Sequence, residues 1–207
     1  MITAAFLLYL GGLGAAFGLR TWLQVRRTGT SGVNGISGPA GSLSWWAGVL
    51  FVLALALGVA GPALALAGLF EAPQPAGGAL AIAGMVVLVL GIAGVLLSQT
   101  GMGTSWRIGV DDAERTELVT RGVFALIRNP IFTAMVLTQI GMTLLVPTAV
   151  SLAALACLVL AVELQVRVIE EPYLHRVHGA AYADYAARTG RFVPGLGRRR
   201  DARPVSP

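Results

Sequence analysis

Five long apolar stretches dominate the sequence and limit what it can fold into. They cover residues 2–19, 43–69, 77–97, 131–146 and 148–163. A helix needs about 20 mostly apolar residues to cross the hydrocarbon core of a bilayer. Only 12% of the 207 residues are charged, whereas soluble domains carry about 25%. We therefore predict an all-α polytopic membrane protein with about five transmembrane helices, of which the last two form a short hairpin that turns at Pro147.

The distribution of basic residues predicts how these helices are oriented. All 15 basic residues are arginines, and they fall within 20–42, within 98–130 and after residue 163. Neither the 70–76 loop nor the Pro147 turn contains one. Because arginine is enriched in cytoplasmic loops, we predict an N-terminus outside and a C-terminus inside. A chain without lysine that is rich in Ala, Gly and Val is typical of a high-GC bacterium, so the membrane is expected to be the bacterial plasma membrane.

The same distribution accounts for the basic pI of about 10.3 through orientation and contact with anionic lipid headgroups. Nucleic-acid binding would require a basic face with interleaved aromatic residues on a soluble module, and the sequence contains none. We therefore predict a membrane environment and no nucleic-acid partner.

One polar cluster precedes the fourth apolar stretch and reads "WRIGVDDAERTELVTRGVFALIRNPIF", residues 106–132. Proline is favoured in the first turn of a helix and asparagine at the position before it, so Pro130 is predicted to begin a helix with Asn129 as its cap. A helix N-terminus also attracts anions, and Arg128 adds a fixed cation. A structural cap and a site for a ligand carboxylate both remain open.

A second polar cluster follows the fifth apolar stretch. Glu163, Arg167, Glu170 and Glu171 are spaced to share one face of an α-helix. Ionisable groups near membrane depth tend to face the protein interior and to be functional. The alternative is a surface face stabilised by salt bridges one turn apart.

Beyond this face, Pro172 is expected to interrupt the helix. An apolar stripe follows and predicts a cytoplasmic amphipathic helix lying on the membrane; it consists of Leu174, Val177, Ala181, Tyr182 and Tyr185. His175 and His178 have a spacing seen in metal sites, but no cysteine or third histidine accompanies them, and we predict no metal site.

The two polar clusters together resemble the isoprenylcysteine carboxyl methyltransferase family and, more widely, the membrane phospholipid methyltransferases. The family pattern "LVTxGxYxxxRHPxY" is similar to "LVTRGVFALIRNPIF" at 118–132. The pattern "EExxLxxxxGxxYxxY" is similar to "EEPYLHRVHGAAYADY" at 170–185, which "RFVP" follows at 191–194. The resemblance covers about residues 98–194, nearly half of the chain.

The resemblance implies an S-adenosylmethionine-dependent methyltransferase that acts on a lipophilic small molecule or a lipid, at a site facing the cytoplasm. Arg167 and Glu170 are the catalytic residues that it implies. It assigns nine residues to the cofactor: Leu118, Val119, Phe124, Arg128, Asn129, Pro130, Ile131, Phe132 and Glu171. It also suggests a division into a three-helix membrane region (1–97), a catalytic region (98–194) and a basic, disordered tail (195–207).

Three departures from the family pattern bear on this function. Asn129 replaces a histidine and cannot act as a base near neutral pH, although it can still hydrogen-bond a ligand. Phe124 and Phe132 replace tyrosines. Two other functions remain open: an NADPH-dependent reductase of the sterol or enone type, and a non-catalytic membrane protein. The acceptor group (carboxylate, thiol or amine) and the oligomeric state also remain open.

Overall fold

The computed structural model describes residues 1–69, 78–107, 109 and 117–199. Its six helices are α1 (Ile2–Thr28), α2 (Leu43–Leu66), α3 (Gly78–Met102), α4 (Pro130–Leu145), α5 (Ala149–His178) and α6 (Ala180–Arg188). Short 3-10 turns occupy Gly103–Ser105 and Gly122–Ala125. The predicted 70–76 loop, most of the charged 111–117 loop and the end of the basic tail lie outside the described residues.

The helices confirm an all-α polytopic membrane protein. Within the described residues, α1, α2, α3 and α5 are long and apolar enough to cross a membrane, and α4 is a shorter apolar helix of 16 residues. The fourth helix begins at Pro130 and the hairpin turns at 146–148, as predicted. Thr148 caps α5 by accepting a hydrogen bond from the Ser151 N–H.

The prediction that Pro172 interrupts the last membrane helix is wrong. Helix α5 continues through Pro172 to His178, and its residues Gln165–Glu170 form a π-helical segment. Pro172 closely follows that segment, so the regular hydrogen-bond pattern, which a proline inside a helix would break, is already interrupted there. At 30 residues, α5 is about 45 Å long at the usual helical rise. Its last turns therefore extend beyond the roughly 30 Å hydrocarbon core.

The amphipathic helix is present as α6, but the two tyrosines of the predicted stripe are buried in the protein. Helix α5 ends at His178, and Gly179 follows it with a φ of +51°, which belongs to the region that favours glycine,. The chain then folds back, and Tyr182 and Tyr185 are buried against Leu118 and Leu174. The two tyrosines pack on the protein because Leu118, in the loop before α4, offers them an apolar partner.

The largest helix–helix interfaces join α3 to α4 and α2 to α5. Glycines allow α3 and α4 to approach closely: a Cβ on Gly91 would lie 2.8 Å from the Thr138 Cα, and one on Gly84 would lie 3.2 Å from the Gly141 carbonyl oxygen. Small residues serve this purpose in many membrane helices. Gly11 and Gly14 of α1 differ, since a Cβ placed on either would meet no other segment within 4 Å.

Candidate active site

A cavity of about 420 Å³ opens at the arginine-rich end of the helix bundle. Its volume lies within the range of about 300–1,000 Å³ that is usual for ligand pockets. Ten of the eleven residues predicted for the site line this cavity: Leu118, Val119, Phe124, Arg128, Asn129, Pro130, Ile131, Phe132, Glu170 and Glu171. The folded chain thus brings the two sequence motifs together around one space.

The first two helices build a second, apolar part of the same cavity. Phe17 of α1 and Phe51, Val52 and Leu55 of α2 line it, together with Met135 of α4. Phe17 and Phe51 meet edge to face, with 6.3 Å between their ring centroids. The cavity therefore combines a polar region at the motifs with an apolar region among the membrane helices.

The Arg-Asn-Pro segment is held in place by residues 190–199, which we call the C-terminal strap. The Arg128 N–H donates to the Gly190 carbonyl at 2.8 Å, and the Asn129 N–H donates to the Arg191 carbonyl at 3.1 Å. The Asn129 Nδ2 donates to that same carbonyl at 3.1 Å. Asn129 thus occupies the cap position of α4, but its side chain makes no capping hydrogen bond. The side chain instead binds the strap through the Arg191 carbonyl.

Glu171 joins this strap to the cavity wall through two arginines. Its Oε1 accepts hydrogen bonds from Arg128 Nη2 at 2.9 Å and from Arg191 Nε at 2.7 Å, and its Oε2 accepts one from Arg191 Nη2 at 2.9 Å. The side chains of Arg128 and Glu171 are 2% and 5% exposed. The hydrogen bond to Glu171 raises the pKa of the Arg191 guanidinium. The buried Glu171 carboxylate is thus paired with two cations, as a buried charge must be paired.

The Arg128 guanidinium also donates to three carbonyl groups near or within the strap. Its Nη1 contacts the Ala186 oxygen at 2.9 Å and the Thr189 oxygen at 2.5 Å, and its Nη2 contacts the Gly197 oxygen at 3.2 Å. Arg128 is therefore a structural anchor for the C-terminal segment, and much of its donor capacity is already used.

Glu170 and Arg167 have different environments although they are only three positions apart. Glu170 lines the cavity, and its Oε1 accepts a hydrogen bond from Gln165 Nε2 at 3.4 Å. Arg167 pairs with Glu163 on the surface, where their side chains are 55% and 38% exposed, and it does not line the cavity. The α-helical spacing placed these groups on one face, but the wider turn of the π-helical segment separates them.

Sequence reasoning missed several polar residues that line the cavity. Arg107 follows the 3-10 turn after α3, and its guanidinium lies 5.0 Å from the centroid of the Tyr173 ring. Gln99 and Gln165 line the cavity as well. Arg107 and Gln99 carry no local signal, because they enter the cavity only through the packing of α3 against the other helices.

Two tyrosines of α6 form part of the cavity wall as protonated phenols. Burial raises the pKa of Tyr182 to about 12, and it raises the pKa of Tyr185 further. The Tyr185 hydroxyl donates to the Phe124 carbonyl at 2.6 Å. This bond connects α6 to the first motif.

No group of three or more His, Cys, Asp or Glu side chains that could hold a metal ion occurs within the described ranges. His175 instead contacts Tyr182 edge to face, with 5.4 Å between the ring centroids.

The sequence model of the phospholipid methyltransferase family matches residues 79–181 of the chain. The chain belongs to this family. The match begins inside α3 and includes most of the residues that line the polar part of the cavity. This methyltransferase is therefore an integral membrane enzyme, and the reductase and non-catalytic alternatives are not favoured.

The methyltransferase is also similar in fold to the solved structure of a eukaryotic intramembrane Ras methyltransferase, the isoprenylcysteine carboxyl methyltransferase. The two share 20% sequence identity with a TM-score of 0.62, over 95% of this chain and 67% of the other. At this identity the similarity concerns the fold. No curated protein sequence matches the chain.

Proposed function

We propose that this methyltransferase takes its methyl group from S-adenosylmethionine and transfers it to a lipophilic or membrane-embedded acceptor. The observation that carries the proposal is that one continuous cavity is polar where the two motifs meet and apolar among α1, α2 and α4. A polar cofactor and an apolar acceptor would each find a matching surface in it.

The residues of the polar region fit such a cofactor. Leu118, Val119 and Phe124 offer apolar walls for an adenosyl group. Ile131 and Phe132 lie in the first turn of α4, where backbone N–H groups have no partner within the helix and attract anions. Arg128 and Glu171 would act indirectly, by holding the strap against this helix. When bound, S-adenosylmethionine supplies an electrophilic methyl group.

Glu170 is the residue that we assign to the acceptor. Methyl transfer mainly requires alignment of the reactants and exclusion of water. Glu170 would orient the acceptor, and it would accept a proton from a thiol or an amine. A carboxylate acceptor needs no base, and in that case Arg107 in the same cavity would hold it. Asn129 has no proton-transfer role in this scheme.

Arg167 has no catalytic role in the proposal. The reason is that its guanidinium pairs with Glu163 outside the cavity. The residues that we assign to the acceptor are therefore Arg107 and Glu170, whereas the resemblance to the family implied Arg167 and Glu170.

Cofactor binding tests the proposal directly. Purified protein in detergent should bind S-adenosylmethionine in a calorimetric titration and should not bind NADPH. The matched variants Glu170→Gln and Arg167→Met should both retain cofactor binding. With any accepted acceptor, Glu170→Gln should lower turnover at least about tenfold, and Arg167→Met should leave it unchanged. Tight binding of NADPH without binding of S-adenosylmethionine would contradict the proposal.

A further inference from the structure

The loop that joins α1 to α2 forms part of the cavity wall. It comprises residues 29–42, contains a glycine at every third position and is called here the glycine-rich loop. Its Val33, Gly35 and Ile36 line the cavity. Loops of this length are uncommon, and many of them are functional. The family model covers residues 79–181, so the role of the loop follows from the structure of this chain and not from the family.

One part of the glycine-rich loop packs on the segment that carries Arg107. A Cβ on Gly32 would lie 3.1 Å from the Trp106 carbonyl oxygen and 3.4 Å from the Arg107 Cα. Gly32 also has a φ of +65°, so its backbone and its surroundings both favour glycine,. A Cβ on Gly109 would lie 3.3 Å from the Gly35 carbonyl oxygen. The loop therefore continues the cavity wall directly from the Arg107 segment.

The next part of the loop rests on α2. The Ile36 side chain lies over Gly48, since a Cβ on Gly48 would be 2.7 Å from the Ile36 Cγ2. Four α2 residues line the cavity at positions that share one helical face: Gly48, Phe51, Val52 and Leu55. Ile36 lines the cavity as well and is 46% exposed, so a ligand in the cavity can reach its side chain. Ile36 thus lies where the wall passes from the Arg107 segment to the apolar part of the cavity.

We infer that Ile36 contacts the apolar body of the acceptor close to its reacting group and limits the bulk that the acceptor carries there. The inference rests on the proposed function, which assigns Arg107 and the apolar part of the cavity to the acceptor. The cofactor would contact residues of the two motifs, at 118–132 and 170–185. Ile36 rests on α2, which belongs to neither motif.

The restriction on bulk is steric. Isoleucine is stiff at χ1 because it is branched at Cβ, and the glycine-rich loop is packed against other segments on both sides of Gly35. Ile36 therefore has little freedom to move away from a ligand. A hydrophobic pocket distinguishes ligands that differ by one methylene about 10–200-fold. The acceptor is accordingly an amphiphile with an unbranched chain next to its reacting group.

The test compares hexadecanoic acid with its isomer 2-hexyldecanoic acid as probes of the purified protein, in separate titrations at equal mole fractions in the detergent. The two acids contain the same atoms, and only the isomer is branched next to its carboxyl group. Native mass spectrometry should show that the wild-type protein binds the linear acid at least about tenfold more tightly. Ile36→Ala should lose this preference. Val25 is 44% exposed and does not line the cavity, so Val25→Ala should keep it.

Thiol labelling provides a second measurement. Hexadecanoic acid should slow the reaction of Ile36→Cys with a water-soluble maleimide, and S-adenosylmethionine alone should not. Labelling of Val25→Cys should respond to neither compound. Mass spectrometry of the peptides separates both positions from the native Cys157.

The inference is overturned if the wild-type protein binds the two acids equally or binds neither, or if Ile36→Ala keeps the full preference. Protection of Ile36→Cys by S-adenosylmethionine and not by the acid would also overturn it, because the loop would then serve the cofactor. If Ile36→Ala does not fold, the labelling of Ile36→Cys decides. Failure of the wild-type protein to bind S-adenosylmethionine would contradict the proposed function, while the preference between the acids would still decide the role of Ile36.

Discussion

Two glutamates of α5 show how strongly the surroundings of a residue determine its contribution to stability. Glu171 is buried and bonded to Arg128 and Arg191, whereas Glu163 pairs with Arg167 on the surface. Removing one partner of a buried ion pair leaves an uncompensated charge. Glu171→Gln should therefore lower the free energy of unfolding by about 3–5 kcal/mol.

Glu163→Gln is the matched control, because exposed ion pairs contribute only about 0–1 kcal/mol. Chemical unfolding of the purified protein in detergent measures both changes. Glu171→Gln should also expose the C-terminal strap to limited proteolysis, because Arg191 loses its partner. Similar stability losses in the two variants would show that the Glu171 cluster does not hold the strap.

Among the helices, the interface between α3 and α4 depends on the absence of side chains. A Cβ on Gly91 would lie 2.5 Å from the Thr138 backbone nitrogen and 2.8 Å from its Cα. Backbone atoms cannot move aside as the end of a side chain can, so Gly91→Ala must separate the two helices. We expect a loss of about 1–3 kcal/mol in the free energy of unfolding, as for other overpacked sites.

Gly11→Ala provides the control for this change, since a Cβ at that position would meet no other segment within 4 Å. Thermal melts of the two variants in one detergent should show a lower melting temperature for Gly91→Ala and little change for Gly11→Ala. Equal melting temperatures would mean that α3 and α4 are not packed as closely as described.

In the molecule as a whole, the described arginines lie at one end of the helix bundle. Arg20 of α1 bonds to the Gly103 carbonyl after α3, and Arg128 before α4 bonds to Glu171 of α5. The opposite turn, at 146–148, contains no arginine. Under the positive-inside rule, we expect the cavity and the C-terminus to face the cytoplasm.

Reporter fusions in a bacterial host test this orientation. A fluorescent reporter that folds only in the cytoplasm should be active after Pro207, and alkaline phosphatase should be active when fused at the 146–148 turn. A periplasmic signal from the C-terminal fusion would reverse the proposed topology and place the cavity on the outer side.

The local sequence was sufficient to predict the membrane helices, the start of α4 and the ten residues of the two motifs that line the cavity. Hydropathy depends only on the residues of one segment. Pro130 begins a helix because its fixed φ and its missing N–H both suit the first position of a helix. The motif residues could be named because each motif is a continuous stretch of sequence that resembles a family pattern.

Only the tertiary structure decided which of the charged and polar groups enter the cavity. Arg167 lies outside because a π-helical segment changes the angular spacing that an α-helix would give, and that change is not visible in the pattern of residue types. Gln99 is positioned by a carbonyl group 83 residues away in sequence, and Arg128 is occupied by the strap. Such contacts arise between segments that are distant along the chain, so no local spacing could indicate them.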